Sequence, residues 1–307
     1  MNTFAENVKK YLPILDQLYK QESLTSIFER DNVIWSGTKE IKIPVVSVSG
    51  NADYDRDTGY KSGSIGVTYQ TKTLTYDRGR RFNVDAVEND EVPFDLVVEG
   101  MSTFEREENI PEVDAIRFAA MAQLAGTKVN ADLADGAAAL AAYDAAEKAF
   151  KKLGLTMNNA IMFCSADYYA LLKSAVAARL NVGQFGGDLN RAVDMLDGKL
   201  PVITVADDRF YDQIQLLTGE VGEEAGGFEP IEDVTKRINF LIVDRAVPQA
   251  VTKRNVTKVI TPEANQTHDG FSIYYRSLHD LYIKDNQASR MYAHIADTVA
   301  VAAPVGG

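Results

Sequence analysis

Two runs of β-type residues, held apart by a long polar connection, place the hardest constraint on this chain. In KEIKIPVVSV (39–48), Ile41, Ile43 and Val45 alternate with other residues and predict a strand. Pro44 confines that strand to an edge or a bulge. In IGVTYQTKTLTY (65–76), β-branched and aromatic residues dominate, and Ile65, Val67 and Tyr69 share one face. About 16 residues separate the runs, which is long for a hairpin loop. A two-stranded hairpin alone is marginal in water, so this one needs another surface to lie on.

The connection contains NADYDRDTGYKSGS (51–64), with Asp53, Asp55 and Asp57 alternating and Gly59, Gly63 and Gly66 following. The three aspartates are candidate metal ligands. A calcium loop of the EF-hand type also needs glycine at its sixth position and a bidentate glutamate at its twelfth. Counted from Asp53, those positions hold Thr58 and Ser64. A dinucleotide fingerprint needs glycines between a strand and a helix; here the spacing differs and a strand follows. Neither cradle is satisfied, and no cofactor is expected.

The 307 residues carry a net charge of −12, with 46% apolar and 25% charged side chains. That is enough for a sizeable core in one large or two ordinary domains. The acidic balance argues against a sequence-reading nucleic-acid protein, which would carry a basic stripe. The densest cationic group is Arg78, Arg80 and Arg81, which at a strand end reads as a solvated edge or an ion-pair partner. No apolar run approaches a membrane span, and MNTFAENVKKYLPILDQ lacks the features of a signal peptide. The single cysteine, Cys164 in AIMFCS, reads as a small buried hydrophobe. His268, His279 and His294 fall in no zinc or protease spacing, and the acidic pairs Asp207-Asp208 and Glu223-Glu224 read as solvated. Nothing forms a catalytic constellation, so no enzyme is expected.

The rest of the chain reads as a mixture. Residues 2–30 are helix-prone with a narrow stripe (Phe4, Val8, Leu12, Leu15, Leu18) interrupted by Pro13. Residues 88–125 predict a long helix with a kink or brief break at Pro111, and an acidic first part (Glu99, Glu105, Glu107, Glu108). Val113, Ile116, Ala120 and Leu124 form the apolar stripe of its second part. A helix over 135–153, a buried strand at NNAIMFCS, a helix at ADYYALLKSAVAARL and a strand at LPVITVADDRF follow, with GEVGEEAGG (219–227) as a mobile surface loop. From 238 the chain is mostly β, and DTVAVAAPVGG has little to fold with. There is no strict β-α-β-α alternation, so a doubly wound or barrel fold is disfavoured.

The ordered set of stretches resembles the major capsid protein of tailed bacteriophages with the HK97-type fold. The stretches are QESLTSIFERDNVIWSGTKEIKI (21–43), TYDRGRRFNVDAVEND (75–90), ENIPEVDAIRFAAMA (108–122), LDGKLPVITVADDRF (196–210) and the closing β segment 238–283. The resemblance implies an α+β fold of named parts. These are an N-terminal arm (1–37), an extended β-hairpin or E-loop (38–85), and a peripheral domain with a long spine helix and β-sheet (86–128 and 236–296). An axial α/β domain (129–235) and a loose C-terminal tail (297–307) complete it. It implies a structural protein that self-assembles into hexamers and pentamers of an icosahedral shell around double-stranded DNA, without sequence-specific binding. The location would be the virion, and the host cytoplasm during assembly. Implied partners are other copies of the chain, a portal and a separate scaffolding protein, with no membrane. Candidate intersubunit contacts are Asp57, Tyr60, Lys61, Arg78, Arg80, Arg81 and Phe185. Some relatives cross-link a hairpin lysine to a neighbour's asparagine; Lys61 with Asn265 or Asn286 is the corresponding pairing here. An acidic spine helix would repel packaged phosphate. The alternatives are an encapsulin-like bacterial compartment shell, a calcium-dependent binding module using Asp53, Asp55 and Asp57, and an unrecognised enzyme.

Overall fold

The computed structural model describes residues 22–30, 33–37, 39–85, 100–179, 195–197, 199–260, 264–266 and 270–300. The expected arm helix before 22, the first part of the expected long helix (86–99), Phe185, His268 and the tail beyond 300 lie outside them.

Strand β1 (Ile34–Trp35) pairs with β2 (Glu40–Val48), and β2 pairs antiparallel with β3 (Ile65–Thr73). The register runs from Glu40 opposite Thr73 to Val48 opposite Ile65. The chain then passes through Leu74 and Thr75 into β4 (Tyr76–Asp85), which belongs to a different sheet. The Thr75 N–H donates to Asp280 (2.8 Å), so the change of sheet is held by a buried carboxylate.

The expected long helix is present where it is described. Residues 100–104 are helical, Glu105–Asn109 form a π-helical turn, and α1 (Ile110–Leu124) continues it. Pro111 explains the wide turn. It has no N–H, and its ring collides with the carbonyl of the preceding turn in a regular α-helix. The Ile110 N–H reaches Glu105 O instead, and the axis continues. The predicted one-sided stripe is not what α1 shows. Nearly all of its residues down to Ala122 are buried, including Glu112, Asp114 and Arg117, whereas Leu124 is exposed. The helix is enclosed on all sides, so its charged residues face protein and must find partners there.

The central sheet has six strands: β5 (Thr127–Asn130), β14 (Met291–Val299), β11 (Lys236–Asp244), β6 (Ala160–Ser165), β8 (Leu200–Val205) and β7 (Met195–Leu196), in that spatial order. Alternate side chains face opposite ways. Ile161, Phe163, Leu241, Val243, Ala293 and Ile295 pack toward α1 with Phe28 and Phe118. Met162, Cys164, Phe240, Ile242 and Tyr292 pack toward α2 (Gly136–Lys152) and α3 (Ala166–Arg179). Both faces are covered, which is why AIMFCS and INFLIVD read as near-continuous apolar runs. Asp135 caps α2 by accepting from the Ala138 N–H (2.8 Å).

A three-stranded sheet of β12 (Gln249–Ile260), β13 (Gly270–Tyr282) and β4 lies alongside, and a small pair, β9 (Gln215–Leu216) with β10 (Phe228–Glu229), carries the loop between them. The strands on either side of residue 236 therefore share one sheet.

Candidate functional site

Beyond its root, the hairpin β2–β3 is little covered by the rest of the described chain. At its root, Ile41 and Ile43 are buried against Leu74, Val251, Leu278 and Tyr282. Farther out, the register decides what is exposed. Directly opposed residues share a face. Val46 faces Val67, Val48 faces Ile65 and Pro44 faces Tyr69. Ile65, Val67 and Tyr69 therefore lie opposite to the Ile41–Ile43 row, not with it. They form an apolar face with Val46 and Val48. All five are exposed, Val48 at 69% and Ile65 at 75%. The other face at that height carries Ser47, Gly66 and Thr68.

The tip is a small turn within the loop. Asp55 and Gly59 exchange backbone hydrogen bonds (3.3 and 2.8 Å), with Gly59 at φ +78°. The Asp55 carboxylate accepts from the Asp57 N–H (2.8 Å). Hydrogen bonds from the Asp57 and Thr58 backbone hold that carboxyl below its ordinary range. Asp55 thus stabilises the turn that places Tyr54 and Tyr60 together, ring centroids 4.9 Å apart. Tyr60 is 91% exposed, and Asp53, Asp57 and Lys61 are exposed beside it. No group of three or more potential metal-ligating side chains occurs among the described residues.

The arginines on β4 are brought to a different place. Arg78 holds Glu112 of α1 through two bonds (2.7 and 2.9 Å) and also donates to Leu217 O and Gly227 O. Arg80 donates to Ala225 O (3.0 Å) and Glu224 O (2.7 Å). Their partners within the chain are the spine helix and the 217–227 loop. That loop, expected to be mobile, is braced at both ends and inside. The Glu223 carboxylate accepts from the Thr218 N–H and hydroxyl (both 2.7 Å). Arg81 is exposed.

The acidic start of the spine also differs from expectation. Glu105 is buried and accepts from Asn109 (2.8 Å), so it does not present charge to solvent. Glu107 and Glu108 do. Asn265 uses its amide nitrogen on Gly270 O and Ser272. The Cys164 thiol is buried and pushed up to about 12 by desolvation, which keeps it protonated. His279 is buried against Tyr76, and His294 stacks on Phe240 at 5.0 Å.

One arrangement escaped the sequence reading. Asp114, fully buried, accepts from Ser23 Oγ (2.7 Å), the Leu24 N–H (3.1 Å), the Thr25 N–H (3.2 Å) and Thr25 Oγ1 (2.5 Å). One turn on, Arg117 donates to Thr25 Oγ1 (3.2 Å) and Glu29 (3.0 Å). Together they fasten the segment 22–30 to the spine. The only sequence signal was two charges inside an apolar helix.

An elongated hairpin, a spine helix, a six-stranded sheet covered on both faces and a separate three-stranded sheet together make the HK97-type capsid fold. Solved structures that match it include the mature capsid of bacteriophage PhiM1 (TM-score 0.63, 11% identity, 91% of this chain and 88% of that one). The capsid of the cyanophage P-SCSP1u is another (0.61, 10%, 87% and 85%). So is a virus-like particle from Pyrococcus furiosus (0.51, 10%, 92% and 96%). No family model matches the sequence, and no curated protein does.

Proposed function

We propose that this chain is the major shell subunit of a tailed bacteriophage, assembling into hexamers and pentamers that enclose double-stranded DNA without reading its sequence. It acts as a structural rather than a catalytic protein. It is located in the virion, and in the host cytoplasm while it assembles with a portal and a scaffold. The observation that carries this reading is the apolar hairpin face of Val46, Val48, Ile65, Val67 and Tyr69, exposed in the single chain. An exposed, contiguous apolar patch on a soluble protein marks an interaction surface. A two-stranded ribbon that bears one is stabilised by packing on something else. The solved structures of the same fold are shell components, which supplies the partner: another copy.

In this reading the tip residues Asp57, Tyr60 and Lys61 touch the neighbouring copy, with Arg81 and Phe185 as further contacts. Arg78 and Arg80 act indirectly, by bracing the loop 217–227. The axial unit takes in β11 and β14, since they share a sheet with β6 and β8. The peripheral unit keeps the spine helix and the β12–β13–β4 sheet.

Electron microscopy of the purified chain tests the proposal. Shells, tubes or five- and six-membered rings are expected, and a chain that stays monomeric at high concentration overturns it. Replacing Val46 and Val67 together with aspartate is expected to abolish assembly while leaving the melting temperature of the subunit unchanged. The virus-like particle match keeps a compartment shell as the second reading. The contents of particles formed in the natural host, nucleic acid or protein cargo, decide between them.

A further inference from the structure

The loop 217–227 is built as a rigid display. Arg78 and Arg80 bind four of its carbonyls, Glu223 ties back to Thr218, and the Gly226 N–H bonds Glu223 O (2.9 Å). Gly226 sits at φ +69°, and a Cβ there would come within 2.7 Å of Arg80 Nη1. What this frame presents is Val221, 98% exposed, with Glu220, Glu223 and Glu224 around it. Nothing among the described residues covers that valine. A loose loop could hide an apolar side chain; a braced one holds it in water.

Elsewhere, at the root of the hairpin, a groove of 420 Å³ opens between β2 and the start of β12. Its apolar lining includes Val33, Ile34 and Pro44, and its cations are Arg30, Lys42 and Lys284; Glu29 also lines it but is paired with Arg117 (3.0 Å), so the lining is net cationic. Lys42 and Lys284 have no ion-pair partner among the described residues. This concave, cationic, apolar-floored surface matches the convex, anionic, apolar-tipped loop in both shape and sign.

We infer that the 219–225 loop of one copy docks into the hairpin-root groove of a second copy, with Val221 on the groove floor and Glu220 and Glu224 facing Lys42 and Lys284. The inference rests on the shell reading for its biological setting, and on this chain's own surfaces for its geometry. The two surfaces are different patches of one chain, so the contact is head-to-tail. Repeated with a rotation that divides a full turn, a head-to-tail contact closes into a ring; otherwise it runs on as a filament. Complementary charges set the register of such a contact and disfavour wrong partners.

Charge reversal on each side, then on both, tests it in the full chain. Glu220→Lys with Glu224→Lys is expected to raise the subunit concentration needed for self-association by about tenfold, because like charges then face each other. Lys42→Glu with Lys284→Glu is expected to do the same. The four changes combined restore complementarity and bring the threshold back to within about threefold of the unaltered chain. Glu220, Glu224 and Lys42 are exposed and Lys284 is half-buried, so unchanged melting temperatures verify folding. Self-association is read by sedimentation and shell formation by microscopy. Loss and rescue of self-association without shells would uphold the docking and overturn the shell reading. Shells that form normally with one side reversed, or single reversals that the combination fails to rescue, would overturn the docking and leave the shell reading standing. A chain that remains monomeric throughout overturns both.

Discussion

Asp114→Ala should detach the 22–30 segment from the spine helix. The carboxylate is fully buried and accepts four hydrogen bonds, two from backbone N–H groups and two from hydroxyls. Alanine leaves all four donors without an acceptor in a dry site. It also removes the negative charge one turn from buried Arg117. A buried donor left unsatisfied costs about 1–3 kcal/mol, and breaking a buried charged network about 3–5 kcal/mol. The segment can partly peel away and hydrate, so about 3–5 kcal/mol is the expected total rather than the sum of four bonds. For a chain of this size that lowers the melting temperature by roughly 5–8 °C. Asp114→Asn keeps one oxygen and should cost about half as much. Thermal unfolding followed by circular dichroism reads the shift, and limited proteolysis reads the release of the segment. An Asp114→Ala chain that melts within about 1 °C of the unaltered one, with cleavage after Arg30 no faster, would refute the latch.

Three further outcomes follow from single sites. Burial, then Arg117 and Arg78, push His279 down to about 3. The folded state therefore holds it neutral while the unfolded chain takes up a proton below about 6.5. Stability is complete above that pH and falls by about 1.4 kcal/mol per unit toward pH 3, and His279→Gln should flatten the profile by about one proton. His294, lowered by burial, adds in the same direction. At Gly126 a Cβ would lie 2.6 Å from Ser289 Cα and 2.7 Å from Ala288 O. Gly126→Ala should therefore cost about 1–3 kcal/mol in chemical denaturation, since backbone cannot move aside cheaply. Asp55→Ala should leave the melting temperature unchanged but speed proteolysis between 53 and 60, because its carboxylate closes only the tip turn. Calcium or a chelator should shift neither chain.

Periodicity was legible wherever one element's neighbours were uniform. NNAIMFCS announced a buried strand, and the helix expected over 135–153 is found at Gly136–Lys152; INFLIVD was legible as a strand, but not that both its faces are covered. Pro111 announced a local break, which the chain resolves as a π turn. Surfaces were less legible. The Glu-rich 219–227 stretch has the composition of a mobile loop, and Arg78 and Arg80, far away in sequence, add the bracing from outside that its own Glu223–Thr218 bonds begin. Glu105 looked solvated until Asn109 and the surrounding protein enclosed it.

The sequence by itself determined where the longer described strands and helices run, that the hairpin is too thin to stand alone, and that its aspartates and glycines lack the spacing of a calcium or dinucleotide loop. Those properties depend on local spacing, which is written along the chain. Tertiary structure alone decided which face of the hairpin is bare. With β2 fixed by buried Ile41 and Ile43, a one-residue slip of β3 would have turned Ile65, Val67 and Tyr69 to the other face, away from Val46 and Val48. It also decided that Asp114 and Arg117 clasp residues some ninety positions away, and that Val221 stands out on a braced loop. Register and long-range pairing depend on what meets what in space, and no local pattern encodes that.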